Sequence, residues 1–166
     1  MNVETVMKKS LAIIFKIAET DQDFTEGVKI IRQYADDLGL DLTFQDFTGE
    51  LKTIDRQYNK PKGALLLVYH ENNVIGCAGL RALDNDTSEL KRMFVQVAYR
   101  GNKIGQQILD RMIHIAKERN YKTIRLDTLQ LMTPALNLYR SYGFYEIPAY
   151  RFNPIEGSVF MEKKLD

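Results

Sequence analysis

One cysteine and two histidines are all that these 166 residues offer toward a disulfide framework or a histidine-rich zinc site. A single thiol excludes a disulfide scaffold, and no metal-ligand spacing can be built around it. Cys77 sits in the apolar run VIGCAGL and reads as a small buried strand residue rather than a catalytic thiol. A surplus of one charge is lacking too. Lys and Arg number 23 against 22 Asp and Glu, a formal +1, so no global field marks a nucleic-acid partner. Long apolar runs are also missing, and no stretch reaches the roughly 18 residues that a membrane span needs. The opening MKKSLAIIF looks like the start of a signal peptide. Its apolar run Leu11–Phe15 is cut by Lys16, Glu19 and Asp21, short of the roughly 7–15 residues required, and no small-residue cleavage site follows. The expected setting is cytoplasmic, with neither membrane nor nucleic acid as partner.

What is present is an ordinary globular composition. The length suits a single domain, residues 1–166, able to bury a core without metals or disulfides. No repeat, low-complexity segment or linker interrupts it. Residues 10–19 are short and β-branched, which predicts a strand. Apolar Val28, Ile31, Ala35 and Leu38 recur at helical spacing between Phe24 and Leu40, with Gly39 as a stop. A second helix is expected from Asp46 to Tyr58. Three strands follow in quick succession at 64–70, 74–83 and 89–97, and their short turns predict an antiparallel meander. A helix opens at Ile104, a strand occupies 123–129, and Thr133-Pro134 looks like a cap and first helical residue before a helix to Tyr142. YEIP and GSVFMEKKL read as two last strands. Helices crossing a mixed sheet make this an α/β or α+β domain.

The stretch YRGNKIGQQILDRM places Arg100, Gly101, Lys103 and Gly105 where a helix begins. A helix N-terminus exposes unpaired N–H groups and about half a positive charge. Glycines let a bulky anion approach, so the segment is a candidate pyrophosphate cradle. An ordinary turn with Asn102 as N-cap is the alternative reading. The P-loop pattern and the dinucleotide fingerprint are both absent.

The segment resembles the acetyl-CoA-binding motif of the GCN5-related N-acetyltransferase (GNAT) superfamily, Gln/Arg-x-x-Gly-x-Gly/Ala. Here it reads Arg100-Gly-Asn-Lys103-Ile-Gly105, with lysine where the first glycine is usual. ELKRMFV resembles the family's fourth strand and LYRSYGF, 138–144, its motif before the sixth, and the element order agrees throughout. The resemblance implies a GNAT fold, a mixed sheet of about seven strands flanked by four helices, and acetyl transfer to a primary amine in a ternary complex without a metal. It implies that Met93, Phe94, Val95, Val97, Arg100, Gly101, Asn102, Lys103, Ile104, Gly105 and Gln106 bind acetyl-CoA. In that family backbone amides on the fourth strand hold the developing oxyanion, which here would be those of Met93, Phe94 and Val95. Tyr139 matches the tyrosine that protonates the leaving thiolate. Glu89 and Asp127 are the two candidate bases, with water as the remaining option. Met132 stands where many relatives place a cofactor-contacting asparagine, so that contact is not carried over.

Segments 36–47 and 148–157 correspond to those that shape the acceptor pocket in this superfamily. Asp36, Asp37, Asp41 and Asp46 could attract an amine; Phe44, Phe47, Tyr150 and Phe152 could stack on it; and Arg151 could hold a carboxylate. An acceptor so recognised would be a small molecule, an amino acid or a peptide end. Solvated loop residues are the alternative. Both segments also resemble those of a subgroup of uncharacterised bacterial acetyltransferases. A non-catalytic CoA-binding sensor is the rival function, and an exposed last strand would allow a homodimer.

Overall fold

The computed structural model describes residues 12–166. Ser10 and Leu11 of the expected opening strand, and the leader-like stretch before them, lie outside that range. Strands β1 (Ile13–Ile17), β2 (Ala64–His70), β3 (Asn73–Ala82), β4 (Thr87–Val95), β5 (Thr123–Leu129), β6 (Tyr145–Ile147) and β7 (Ser158–Lys164) form one sheet. Its order is β1-β2-β3-β4-β5-β7-β6; β4 and β5 run parallel and the other neighbours antiparallel. The last strand is therefore interior, flanked by β5 and β6. Over Phe160–Glu162 that strand is covered by β6, so the sheet's edges are β1 and β6 rather than the last strand.

Helices α1 (Asp21–Leu38), α2 (Phe47–Lys52), α3 (Ile54–Gln57), α4 (Ile104–Glu118) and α5 (Thr133–Ser141) complete the fold. Helix α1 starts earlier than apolar spacing alone indicates because Thr20 opens a capping box. Asp23 N donates to Thr20 Oγ1 at 3.1 Å and Thr20 N donates back to Asp23 Oδ2 at 3.1 Å. Gly39, at φ 61, ends it in the left-handed region. The single helix expected over Asp46–Tyr58 is two short ones. Thr53 leaves helical geometry at φ −120, ψ 21, and its Oγ1 donates to Gly49 O at 2.8 Å, a side-chain bond that competes with continuing the helix.

Two cores follow from strand alternation. Leu65 and Leu67 pack with α1, α2 and α3, while Leu66 and Val68 pack with α4 and α5 on the opposite face. Strand β2 is buried on both faces, hence its unbroken apolar run ALLLV. Glu71 and Asn72, at φ 49 and 68, turn β2 into β3 as a two-residue hairpin. Among the described residues no helix is long and apolar enough to cross a membrane.

Candidate active site

The site begins where the sheet opens. Strands β4 and β5 pair only over Thr87–Glu89 and Thr123–Arg125, and beyond that point they separate. A cavity of about 700 Å³ fills the gap, lined by Leu90–Val95 on one side and Leu126–Leu129 on the other. The amides of β4 beyond Glu89 thus have no β5 partner.

A bulge in β4 sets what faces the cavity. Cys77 pairs with Phe94 but Gly79 pairs with Lys91, so β4 carries one extra residue, and Arg92 takes φ 56. The phase shift turns two successive cations toward the α1–α2 face: Lys91 Nζ reaches Gln45 Oε1 at 3.2 Å and Arg92 Nε reaches Glu50 Oε2 at 2.8 Å. Cys77 is fully buried beside the bulge, its Sγ donating to Arg92 O at 3.1 Å. Burial pushes that thiol up to about 12, so it is inert.

The cradle expected before α4 lies at the other end of the same cavity, with Arg100, Gly101, Lys103, Ile104, Gly105 and Gln106 all in its wall. The N-cap is Lys103, in the left-handed region at φ 59, and not Asn102. Asn102 Nδ2 instead donates to Tyr99 O at 2.9 Å and braces the turn. No side chain caps α4. Its first backbone bond is donated by Gln107 to Lys103 O at 3.2 Å, which leaves the amides ahead of it for a ligand. A Cβ on Gly105 would meet nothing nearer than 3.7 Å, at Leu138 and Met93, both in the cavity wall. The space against the first turn is therefore free, and these residues fit a diphosphate. Val97 is 66% exposed and, like Asn102, lies outside the wall.

Helix α5 carries Tyr139 into the cavity. Its N-cap is Met132 rather than Thr133, because the turn out of β5 closes through Met132 N to Leu129 O at 2.9 Å and makes Thr133 the first helical residue. Tyr139 is buried, packed against Phe144 at 5.7 Å between ring centroids. Its hydroxyl has a weak contact to Met93 Sδ at 3.8 Å. Burial raises the phenol far above its usual value.

The two candidate bases have different settings. Asp127 lines the cavity, accepting from Arg151 Nη2 at 2.7 Å and Asn153 Nδ2 at 3.0 Å. Glu89 is fully enclosed and off the cavity wall, held by Arg81 Nε at 3.0 Å, Arg151 Nη1 at 2.8 Å and the Tyr150 hydroxyl at 2.7 Å. Arg151 and Tyr150 thus engage the chain's own carboxylates behind the wall. Of the expected acidic residues, Asp37 lines the cavity, whereas Asp36, Asp41 and Asp46 do not. Phe47 stacks under Arg92, its ring 5.2 Å from the guanidinium, and Phe152 is 75% exposed. The Phe44 side chain lies outside what the structure describes.

Lys91 escaped the sequence reading. Its side chain is 3% exposed and lines the cavity. Burial pulls its ammonium down to about 7; Arg92, Arg81 and Arg151 push the same way, and Glu89 opposes them. The available signal was the adjacent pair Lys91-Arg92 inside an apolar strand, since strict alternation would bury one of them without explanation. No group of three or more His, Cys, Asp and Glu side chains among the described residues is arranged to hold a metal.

The profile of the Acetyltransferase (GNAT) family matches residues 31–144. The chain is 30% identical over 161 residues to an uncharacterised N-acetyltransferase of Schizosaccharomyces pombe, covering 96% of this chain and 99% of that protein. A second uncharacterised N-acetyltransferase, from Dictyostelium discoideum, is 26% identical over 215 residues, covering 92% of this chain and 100% of the relative. Among solved structures, a GNAT-family acetyltransferase from Staphylococcus aureus Mu50 superposes with a TM-score of 0.75 at 28% identity, covering 92% of this chain and all of that one.

Proposed function

The chain belongs to the GNAT family of acetyltransferases and is an N-acetyltransferase, and from that premise we propose that it passes the acetyl group of acetyl-CoA directly to a small primary amine or peptide end. One observation carries this reading: a single cavity joins the uncapped N-terminus of α4, the β4 amides freed by the splay, the Tyr139 hydroxyl and the Asp127 carboxylate.

Acetyl-CoA, when bound, supplies an activated thioester. The α4 amides, helped by Arg100 and Lys103, would hold its diphosphate. Amides of Met93, Phe94 and Val95 would donate to the acetyl oxygen as charge develops there, and such donors act whatever their side chains are. Tyr139 would donate from its hydroxyl to the departing sulfur. Its raised pKa keeps it protonated throughout the working range. A phenol above about 10 is a weaker acid than a thiol near 8.5, so it stabilises the thiolate by hydrogen bonding rather than by giving up its proton. Asp127, the candidate base that meets the cavity, would take the amine's proton, directly or through one water.

Thermal melting with acetyl-CoA, CoA, ATP and NAD in parallel is the first test, followed by thiol release over a panel of amines. Acetyl-CoA and CoA, at about 100 times their dissociation constants, should each stabilise the protein by about 2.7 kcal/mol while ATP and NAD do not. Tyr139→Phe should keep that shift and lose about 100-fold in turnover. A preference for ATP or NAD, or release unaffected by Tyr139→Phe, would refute the assignment.

A further inference from the structure

The charges around the bulge do not balance. Three largely buried carboxylates lie here, and each is already claimed by an arginine: Glu50 by Arg92 at 2.8 Å, Glu89 by Arg81 at 3.0 Å and by Arg151 at 2.8 Å, Asp127 by Arg151 at 2.7 Å. Lys91 is a fourth cation with no carboxylate of its own. Its nearest is Glu89 at 3.9 Å, on the side already held by Arg81, and it donates a hydrogen bond to the neutral amide of Gln45 at 3.2 Å. Almost wholly buried ammonium groups are costly without a counter-charge. This one projects from β4 into the wall of the proposed catalytic cavity, on the α1–α2 side and away from the α4 cradle.

We propose that the acceptor is an amine that also carries a carboxylate, and that Lys91 Nζ receives that carboxylate. The inference rests on the acetyltransferase reading for the word acceptor; the anion site itself does not. A carboxylate is favoured over a phosphate because Asp37 and Asp127 line the same cavity and would repel a dianion, while they suit the ammonium of a zwitterion. Arg151, the residue the sequence suggested for this task, is engaged by Glu89 and Asp127. The lowered ammonium of Lys91 is what a cation waiting for a partner shows, and an arriving carboxylate would restore its proton.

Binding and turnover test it separately. N-acetyl amino acids and their carboxamides lack an ammonium, so calorimetry of each pair on the CoA-loaded protein reads the carboxylate alone. The best N-acetyl amino acid is expected to bind at least about tenfold more tightly than its amide, one unit of log affinity. Lys91→Met should erase that ratio, and Lys91→Arg should retain part of it. With the Lys91 ammonium lowered to about 7, the preference should fall between pH 6.5 and 8.5 by up to about 25-fold, and Lys91→Met should show no such fall. The other charged groups around this ammonium are Glu89 and Arg92 on β4, Arg81 on β3, Glu50 on α2 and Arg151 beyond β6, while Tyr34 and Asp37 on α1 and Asp127 on β5 line the same cavity. In turnover, amino acids should lose mainly through KM in Lys91→Met. Equal binding of acid and amide by the wild type, or a ratio untouched by Lys91→Met, overturns the proposal. Carboxylate-selective binding without acetyl transfer to any amine would retire the transferase reading and leave the anion site standing.

Discussion

Removing a single carboxylate should have opposite consequences at Asp127 and Glu89. Asp127 meets the cavity and keeps lone pairs free beyond its bonds to Arg151 and Asn153. Asp127→Asn should therefore cost about 100-fold in kcat/KM and also lower the melting temperature, since the amide retains one acceptor but sets its NH2 against Arg151 or Asn153. Glu89 is enclosed between Arg81, Arg151 and Tyr150. Glu89→Ala should destabilise by about 3–5 kcal/mol, because it leaves buried cations uncompensated. Denaturant unfolding and steady-state kinetics on both variants separate the roles; a Glu89→Ala protein of normal stability and no activity would reverse the assignment. The sequence marked Tyr139, Glu89 and Asp127 as candidates for this chemistry. It could not supply who holds whom. Arg151 lies 62 residues from Glu89 and 24 from Asp127 in the chain, and only the folded sheet brings the three together.

At the scale of elements, the start of α4 makes a prediction whose two halves differ in sign. Gly105 is helical with an ordinary φ, and an added methyl would meet nothing nearer than 3.7 Å. Gly105→Ala should then stabilise the free protein by about 0.5–1 kcal/mol, the usual gain of alanine over glycine in a helix. The same methyl occupies the free space against the amides, so the melting shift given by acetyl-CoA should shrink. A variant that gained stability and bound acetyl-CoA normally would place the diphosphate elsewhere. Helices and strands were legible here because their apolar periods are clean: Ile104, Ile108, Met112 and Ile115 of α4 are all buried, as the spacing requires. What escaped were events that obey local backbone chemistry. The break at Thr53 and the left-handed cap at Lys103 leave no mark on the apolar period, and the bulge at Arg92 leaves only the adjacent pair Lys91-Arg92 as its trace. The bulge matters most, because it is what turns Lys91 and Arg92 to the same side.

For the molecule as a whole, a cavity that splits a sheet and holds a buried cation should show in the dependence of stability on pH. Two effects run in different windows. Burial alone would raise the Glu50 carboxyl, but hydrogen bonds from Arg92 and its charge outweigh it, and the net value is lowered. Asp23 is lowered in the same way by Lys16 and the amides of Glu19 and Thr20, against its own desolvation. Stability from these groups is complete above the unfolded carboxyl values near 4 and is lost as pH falls through the lower folded ones. Lys91 has the reverse sign. Its folded value near 7 lies below the unfolded one near 10.4, so between them the unfolded chain binds more protons and stability rises with pH. The cost of burying the ammonium is complete below about 7 and fades above it. Lys91→Met should accordingly melt higher than the wild type at pH 7, and the wild type's rise between pH 7 and 9.5 should be missing from it. Melting curves across that range in both proteins decide the matter. A Lys91→Met protein less stable than the wild type at pH 7 would mean that the lysine is held as a structural ion pair with Glu89, and that the fold bears no such cost for its cavity.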